Sequence, residues 1–285
     1  SMEHPEAMRT KHLSNRAGVW HDPCSAMQLQ IQLAPKDSKE ILFLLGQGES
    51  LEHVKQLVEK YNSLEYVVSA FNEVNRYWEE KLSIIQVYTP DISMDLMLNR
   101  WLIYQTYACR MLARTGFYQA GGAFGFRDQL QDVMALAYCA PELMRQQIML
   151  SAAHQFMEGD VQHWWHPPYR GVRTRITDDL LFLPFVTADY IEKTNDWSIL
   201  DEVIGLLEDE PLKPDEHDRY SIPQVSEEKT SIYDHCIRAI EKAMEFGSHG
   251  LPLMGGGDWN DGMDNVGIKG KGESVWLGWF LYSTV

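Results

Sequence analysis

The sequence predicts a mainly α-helical protein whose helices come in hairpins, entered through a short β-hairpin. Three observations carry this. A stretch near the start alternates apolar and polar residues, the period changes to helical from Ser50 onward, and the long loops fall after every second helix.

The first element covers 25–46, "SAMQLQIQLAPKDSKEILFLLG". Met27, Leu29, Ile31 and Leu33 share one face, and Gln28, Gln30 and Gln32 share the other. "APKDSKE" reads as the turn and "ILFLLG" as a buried return strand, which gives a β-hairpin with one solvated face. A lone hairpin is marginal in water, so it must pack on something. Residues 50–82 are helical, with Ser50 as N-cap and Asn62-Ser63 as a break or restart. After "YTPD" the chain reads almost wholly as helix: 91–114, 128–140, 142–157, 178–194, 197–208, 229–246, and a last helix from near Ser274. Pro90 and Pro141 stand at helix starts, where a missing N–H is harmless. The loops 115–127, 158–177 and 247–273 are long and rich in Gly, aromatics and charge, and loops of that length in a compact domain are more often functional than idle.

Composition narrows the function. With 285 residues, 45% of them hydrophobic, the chain can build a sizeable core. A formal net charge of −16 argues against nucleic acid and anionic membrane surfaces as partners. Cys24, Cys109, Cys139 and Cys236 lack CxxC spacing and fit free thiols in a reducing compartment. No run approaches a membrane span and no signal peptide is visible, so a cytoplasmic protein is expected.

Three loops read as one site. "ARTGFYQAGGAFGFRDQLQD" brings Arg114, Arg127 and Asp128. "EGDVQHWWHPPYRGVRTRITDD" brings His163, Trp164, Trp165, Arg173, Arg175, Asp178 and Asp179. "GLPLMGGGDWNDGMDNVG" brings Asp258, Trp259 and Asp261. Gly- and Asp-rich stretches usually form plain surface loops, but Trp259 is costly to expose in the middle of one. Aromatic faces take the apolar C–H surface of a sugar, and carboxylate, amide and Arg groups take its hydroxyls. His163 and His166 stand three apart, which suits a metal on a helix; Pro167-Pro168 make the segment extended and no third ligand is obvious, so no metal is expected. Asp178 is either a helix-start charge favoured by the dipole or a site residue, and both readings stay open. The apolar run 95–112 reads as helix core, and "GQGES" lacks the residues of a phosphate loop.

"GFRDQLQD", "EGDVQHWWHPP", "TRITDDLLFLPF" and "GDWNDGM", in this order, resemble the inverting β-glycoside phosphorylases of the cellobiose and chitobiose type, most of all the phosphorylase-like module of cyclic β-1,2-glucan synthases. The resemblance runs from about Ser25 to the last residue. It implies that 1–49 is the tail of a β-sandwich, 50–90 a helical linker, and 91–285 the first half of an (α/α)6 barrel. It also implies inorganic phosphate as co-substrate with no other cofactor, and a β-glucan or β-glucoside disaccharide as substrate. Asp261 would be the proton donor, its carboxyl kept protonated by burial beside Trp259. Arg114, Asp128 and Trp259 would hold the sugar of the subsite next to the scissile bond, with Arg127 and Asp179 also substrate-binding. Many members carry an Arg six residues before the Asp of "GFRD"; here that position is Gly122, so Arg127, Arg173 or Arg175 would help with phosphate, and a β-1,2-glucan becomes the favoured substrate. The same likeness suggests a truncated barrel whose uncovered apolar faces drive self-association into a homo-oligomer. A hydrolase on the same barrel and a non-catalytic sugar-binding module are the competing readings. The hydrolase would need a second carboxylate to activate water.

Overall fold

The computed structural model of the chain describes residues 3–18, 25–113 and 121–285, and it divides into two compact units, Ser1–Glu73 and Val74–Val285.

In the first unit, residues 25–46 run extended through a turn closed by Asp37 N–H on the Ala34 carbonyl (3.0 Å), with no ladder between the two arms. The hairpin expected there is therefore absent among the described residues, and Met27, Leu29, Ile31 and Leu33 stay exposed. Two isolated arms bury too little apolar surface to hold a ladder without a sheet beneath them. Helix α1 (Leu51–Tyr61) starts where its cap demands: Ser50 Oγ accepts from His53 N–H at 3.2 Å. Ser63 caps the restart, helix α2 (Leu64–Leu82), by accepting from Tyr66 N–H.

The second unit begins within α2 at Val74; beyond that helix Asp91 caps α3 (Ile92–Leu96), followed by a π-helical turn (Met97–Trp101), α4 (Leu102–Gln105) and a second π-helical turn (Thr106–Leu112). A short strand β1 (Phe124–Gly125) then leads into α5 (Phe126–Met134) and α6 (Pro141–Ala152), the latter with Pro at its first position as expected.

The loop expected at 158–177 is instead an antiparallel hairpin, β2 (Gln162–His166) and β3 (Arg170–Thr174). Trp, Val and Thr populate these strands; β3 alternates buried with more exposed positions, while β2 carries an irregularity between Gln162 and Trp164. Helix α7 (Asp178–Thr194) follows. The helix expected at 197–208 is a 3-10 turn (Trp197–Asp201) and a strand β4 (Val203–Glu208), because the β-branched Val203 and Ile204 favour extended backbone once a partner strand exists. Strand β5 (Asp218–Ser221) extends the hairpin to a sheet of order β1-β2-β3-β5, and β6 (Gln224–Ser231) pairs with β4. The helix expected at 229–246 is accordingly shorter: Ser231 ends β6 and caps α8 (Ile232–Ala243), accepting from Asp234 N–H at 3.1 Å. A one-turn α9 (Asp264–Gly267) and α10 (Val275–Thr284) complete the chain.

Helix α7 is the centre of this unit. It packs against α5, α6, α8 and α10, and Leu181, Leu183 and Val186 join Phe126, Leu130, Ile148, Ile232 and Leu277 in one core. A helix with neighbours on several sides must be apolar on several sides. The run "LLFLPF" meets that requirement, so the polar residues of its first turn are the exception that marks the site.

Candidate active site

Two adjacent carboxylates open α7, and both are fully buried. An isolated buried carboxylate is expensive, so each needs a cation. Asp178 receives a two-oxygen hydrogen bond from Arg127 Nη1 (2.9 and 2.8 Å). Asp179 accepts from His163 Nδ1 at 2.7 Å. Successive positions on α5 point about 100° apart. Arg127 therefore turns into the interior while Asp128 turns out.

The glycine run then brings in the third wall. Gly256 N–H donates to the Arg175 carbonyl (2.8 Å), and Thr177 N–H donates to the Gly257 carbonyl (3.1 Å). These two bonds stitch the loop to the residues just before α7. The approach is so close that a Cβ on Gly255, whose φ is +58°, would lie 2.0 Å from the Arg175 carbonyl oxygen. Asp258 anchors the far side: Oδ1 accepts from Asn260 N–H (3.0 Å) and Oδ2 from Ser274 Oγ (2.7 Å), while Ser274 caps α10. With both oxygens so engaged, Asp258 is a structural tie.

Asp261, at the start of a 3-10 turn, comes to rest on the cluster. Its Oδ1 accepts a charge-assisted hydrogen bond from Arg127 Nη2, and its Oδ2 lies 3.7 Å from His163 Nε2. Arg127 also donates to the Asp258 carbonyl (3.2 Å), so one guanidinium links α5, α7 and the glycine loop. Three carboxylates thus face two basic groups. Burial, then the charge of Asp179, pushes Asp178 up to about 7, against the pull of Arg127. Burial works against a charged His163, but Asp179 and Asp261 overcome it and raise the imidazole above its ordinary value.

Of the residues singled out in the sequence, Arg127, Asp179 and Asp261 meet here, with Trp259 in the same loop. Asp128 folds back over Gly125 on the exposed side of α5 and joins no ion pair among the described residues. Arg114 lies outside the described residues. The burial expected for Asp261 is not there: its side chain is 52% exposed and Trp259 is 55% exposed.

Arg173 is not placed to bind phosphate. Nε and Nη2 grip both oxygens of Asp160 (2.6 Å each), Nη2 also reaches Glu158, and Nη1 donates to the Asp209 and Glu210 carbonyls. All five N–H donors are occupied. Arg175 holds the 212–216 segment through the Leu212, Lys213 and Glu216 carbonyls. His163 and His166 contact different partners, Asp179 and the Gly121 carbonyl respectively, and among the described residues no cluster of His, Cys, Asp or Glu could hold a metal. The role of Asp178 is the one that the sequence left open. The available signal was the pair of adjacent acids at the head of an otherwise apolar helix, which burial obliges to find two cations.

A guanidinium, an imidazole and three carboxylates cluster at the head of a helical core, with the exposed Trp259 in the same loop as Asp261. The chain belongs to the Glycosyl hydrolase 94 superfamily: the catalytic domain of that superfamily matches residues 77–285, and its supersandwich domain matches residues 1–64. Among known relatives, the cyclic beta-(1,2)-glucan synthase NdvB of Rhizobium meliloti is 41% identical over 96% of this chain and 10% of its own length. N,N'-diacetylchitobiose phosphorylase of Vibrio furnissii is 24% identical over 95% of this chain and 35% of its own. Cellobionic acid phosphorylase of Neurospora crassa is 26% identical over 97% and 33%. The chain thus spans about a third or less of the relatives it matches. Among the described residues, no helix is long and apolar enough to cross a membrane.

Proposed function

We propose that the protein carries the acid half of an inverting glycoside phosphorylase acting on β-glucosidic bonds, on an (α/α)6 barrel, with α-glucose 1-phosphate as product. The observation that carries this reading is the convergence of Arg127, His163 and the α7 carboxylates on a solvent-accessible Asp261 next to Trp259. Phosphate is already a nucleophile, so the reaction needs one acid and no base to activate water. Asp261 protonates the departing glycosidic oxygen while phosphate attacks the anomeric carbon from the opposite face. Asp178 and Asp179, each engaged by a cation, are poorly placed to act as the water-activating base of a hydrolase. A β-1,2-glucan is the favoured substrate, supported by the likeness to a cyclic glucan synthase and by Gly122 at the position where many phosphorylases have Arg. Phosphate supply makes the cytoplasm the natural compartment.

The test is glucose 1-phosphate release from β-1,2-glucan oligomers by the full-length protein, with and without inorganic phosphate. Release should depend on phosphate, and Asp261→Asn should lower it by about 10²–10⁴-fold. Glucose release that is indifferent to phosphate would replace this reading with the hydrolase, and binding without turnover would replace it with the sugar-binding module.

A further inference from the structure

The proton donor of the proposed reaction has a second basic neighbour that the reaction as stated does not use. We propose that His163 is a positioning residue for Asp261: held by Asp179, it stores the proton that Asp261 delivers and recovers one after each turnover. This rests on the reading of Asp261 as the acid.

The geometry is a chain of three side chains from three elements. Asp179 Oδ2 on α7 holds His163 Nδ1 on β2 at 2.7 Å, which fixes the ring so that Nε2 faces Asp261 Oδ2 at 3.7 Å. Asp179 is fully buried, and its Oδ1 has no hydrogen-bond partner among the described residues. A carboxylate so short of partners strongly favours a positive ring beside it. The charged groups facing His163 are Asp179 from α7, Asp261 from the 3-10 turn and Arg127 from α5. Burial and Arg127 oppose protonation, the two carboxylates favour it, and the balance lifts the imidazole above 6.5. The two carboxylates thus favour the protonated ring.

With the ring protonated, Asp261 stands between a guanidinium and an imidazolium, and the stored proton sits on Nε2, 3.7 Å from Oδ2. Closing 3.7 Å to hydrogen-bond reach takes a shift of less than about 1 Å. The step balances as follows. The Nε2 proton passes to Asp261, and Asp261 gives its proton to the glycosidic oxygen, which keeps the electron pair of the breaking C–O bond. A hydrogen phosphate oxygen bonds to the anomeric carbon, and the proton it sheds on becoming the phosphoester returns to the neutral imidazole.

The experiment compares His163→Gln, Asp179→Asn and Asp261→Asn in the full-length protein on two substrates. One is a β-1,2-glucan oligomer; the other is a dinitrophenyl β-glucoside, whose leaving group needs no proton. His163→Gln should lose about 10²-fold on the oligomer and less than about fivefold on the aryl glucoside. The alkaline limb of its kcat profile should move to lower pH, because the proton must then sit on a carboxylate alone. Asp179→Asn keeps an acceptor for Nδ1 and removes the charge, so it should show the same pattern more weakly; it carries the test if His163→Gln does not fold. Equal losses on both substrates with an unmoved limb would overturn the proposal and leave His163 as a binding or packing residue. If Asp261→Asn itself shows no dependence on the leaving group, the acid assignment falls; if it does and His163→Gln does not, only the proton store falls.

Discussion

Arg127 and Arg173 are both buried, both gripped by carboxylates, and both fall in sequence stretches that look alike. Their surroundings differ. Arg173 is enclosed by the protein's own groups: both oxygens of Asp160, Glu158, the Asp209 and Glu210 carbonyls, and the face of Phe156 at 3.9 Å. Arg127 bridges three elements, and one of its partners is the exposed side chain of Asp261. Two histidines repeat the contrast. His154 stacks on Trp165 and meets the neutral amide of Gln162, so burial drives its pKa down to about 4. His163 meets a carboxylate and is driven the other way. The lesson is that burial alone does not distinguish a structural charge from a working one; what does is whether the partners are closed around it or open to a ligand.

Five substitutions test this contrast, in decreasing order of effect. Arg173→Gln removes a buried guanidinium and leaves the part-buried Asp160 unpaired, and should destabilise the fold by about 3–5 kcal/mol in denaturant unfolding, while the variant that remains folded keeps its turnover. His154 comes next, through pH. Its folded pKa of about 4 lies below the ordinary 6.5, so the unfolded chain takes up a proton first as pH falls. Stability is thus unaffected above about 7 and is lost between 6.5 and 4, by about 3 kcal/mol in all. His154→Gln should flatten that acid limb of the stability curve, and an unchanged limb would mean that other groups set it.

On the open side, Arg127→Lys cannot grip Asp178 and reach Asp261 at once. It should lower phosphorolysis by about 10²-fold with a smaller stability loss than Arg173→Gln, the reverse ranking of the two arginines in the two assays. The smallest effect concerns exposed acids. Asp128→Ala should weaken glucan binding by about tenfold, roughly one good hydrogen bond. Asp234→Ala, which removes the acceptor for Thr230 and Ser231 at the head of α8, should cost about 1 kcal/mol of stability and leave binding alone. If both variants bind glucan like the parent, Asp128 is only a helix-start charge.

Much of the helical frame was legible because caps and periodicity are local. Ser50, Ser63, Pro141 and Ser274 mark helix starts that the structure retains. The misses share one cause. At 158–177, 197–208 and 224–231 the local pattern is weak, and each segment became a strand only because a partner lay beside it. The converse holds at 25–46, where a clean period of two produced no ladder among the described residues. The site was legible as a set of loops and residue types, including Asp261, Arg127 and Asp179, but not as a network.

What the sequence by itself determined is the chemistry on offer: aromatic, acidic and basic groups concentrated in three loops, a net charge of −16, helices placed by their caps, and motifs specific enough to mark the superfamily. What only the tertiary structure decided is who pairs with whom. Arg127 and Arg173 sit in equally plausible stretches, and no spacing rule separates one whose side-chain partners lie 51 and 134 positions away from one that closes on residues 13, 15, 36 and 37 positions away. The reason is electrostatic. The free energy of a buried charge is set by the few groups within about 4 Å of it, and which groups those are is decided by packing around α7 rather than by neighbours in the chain.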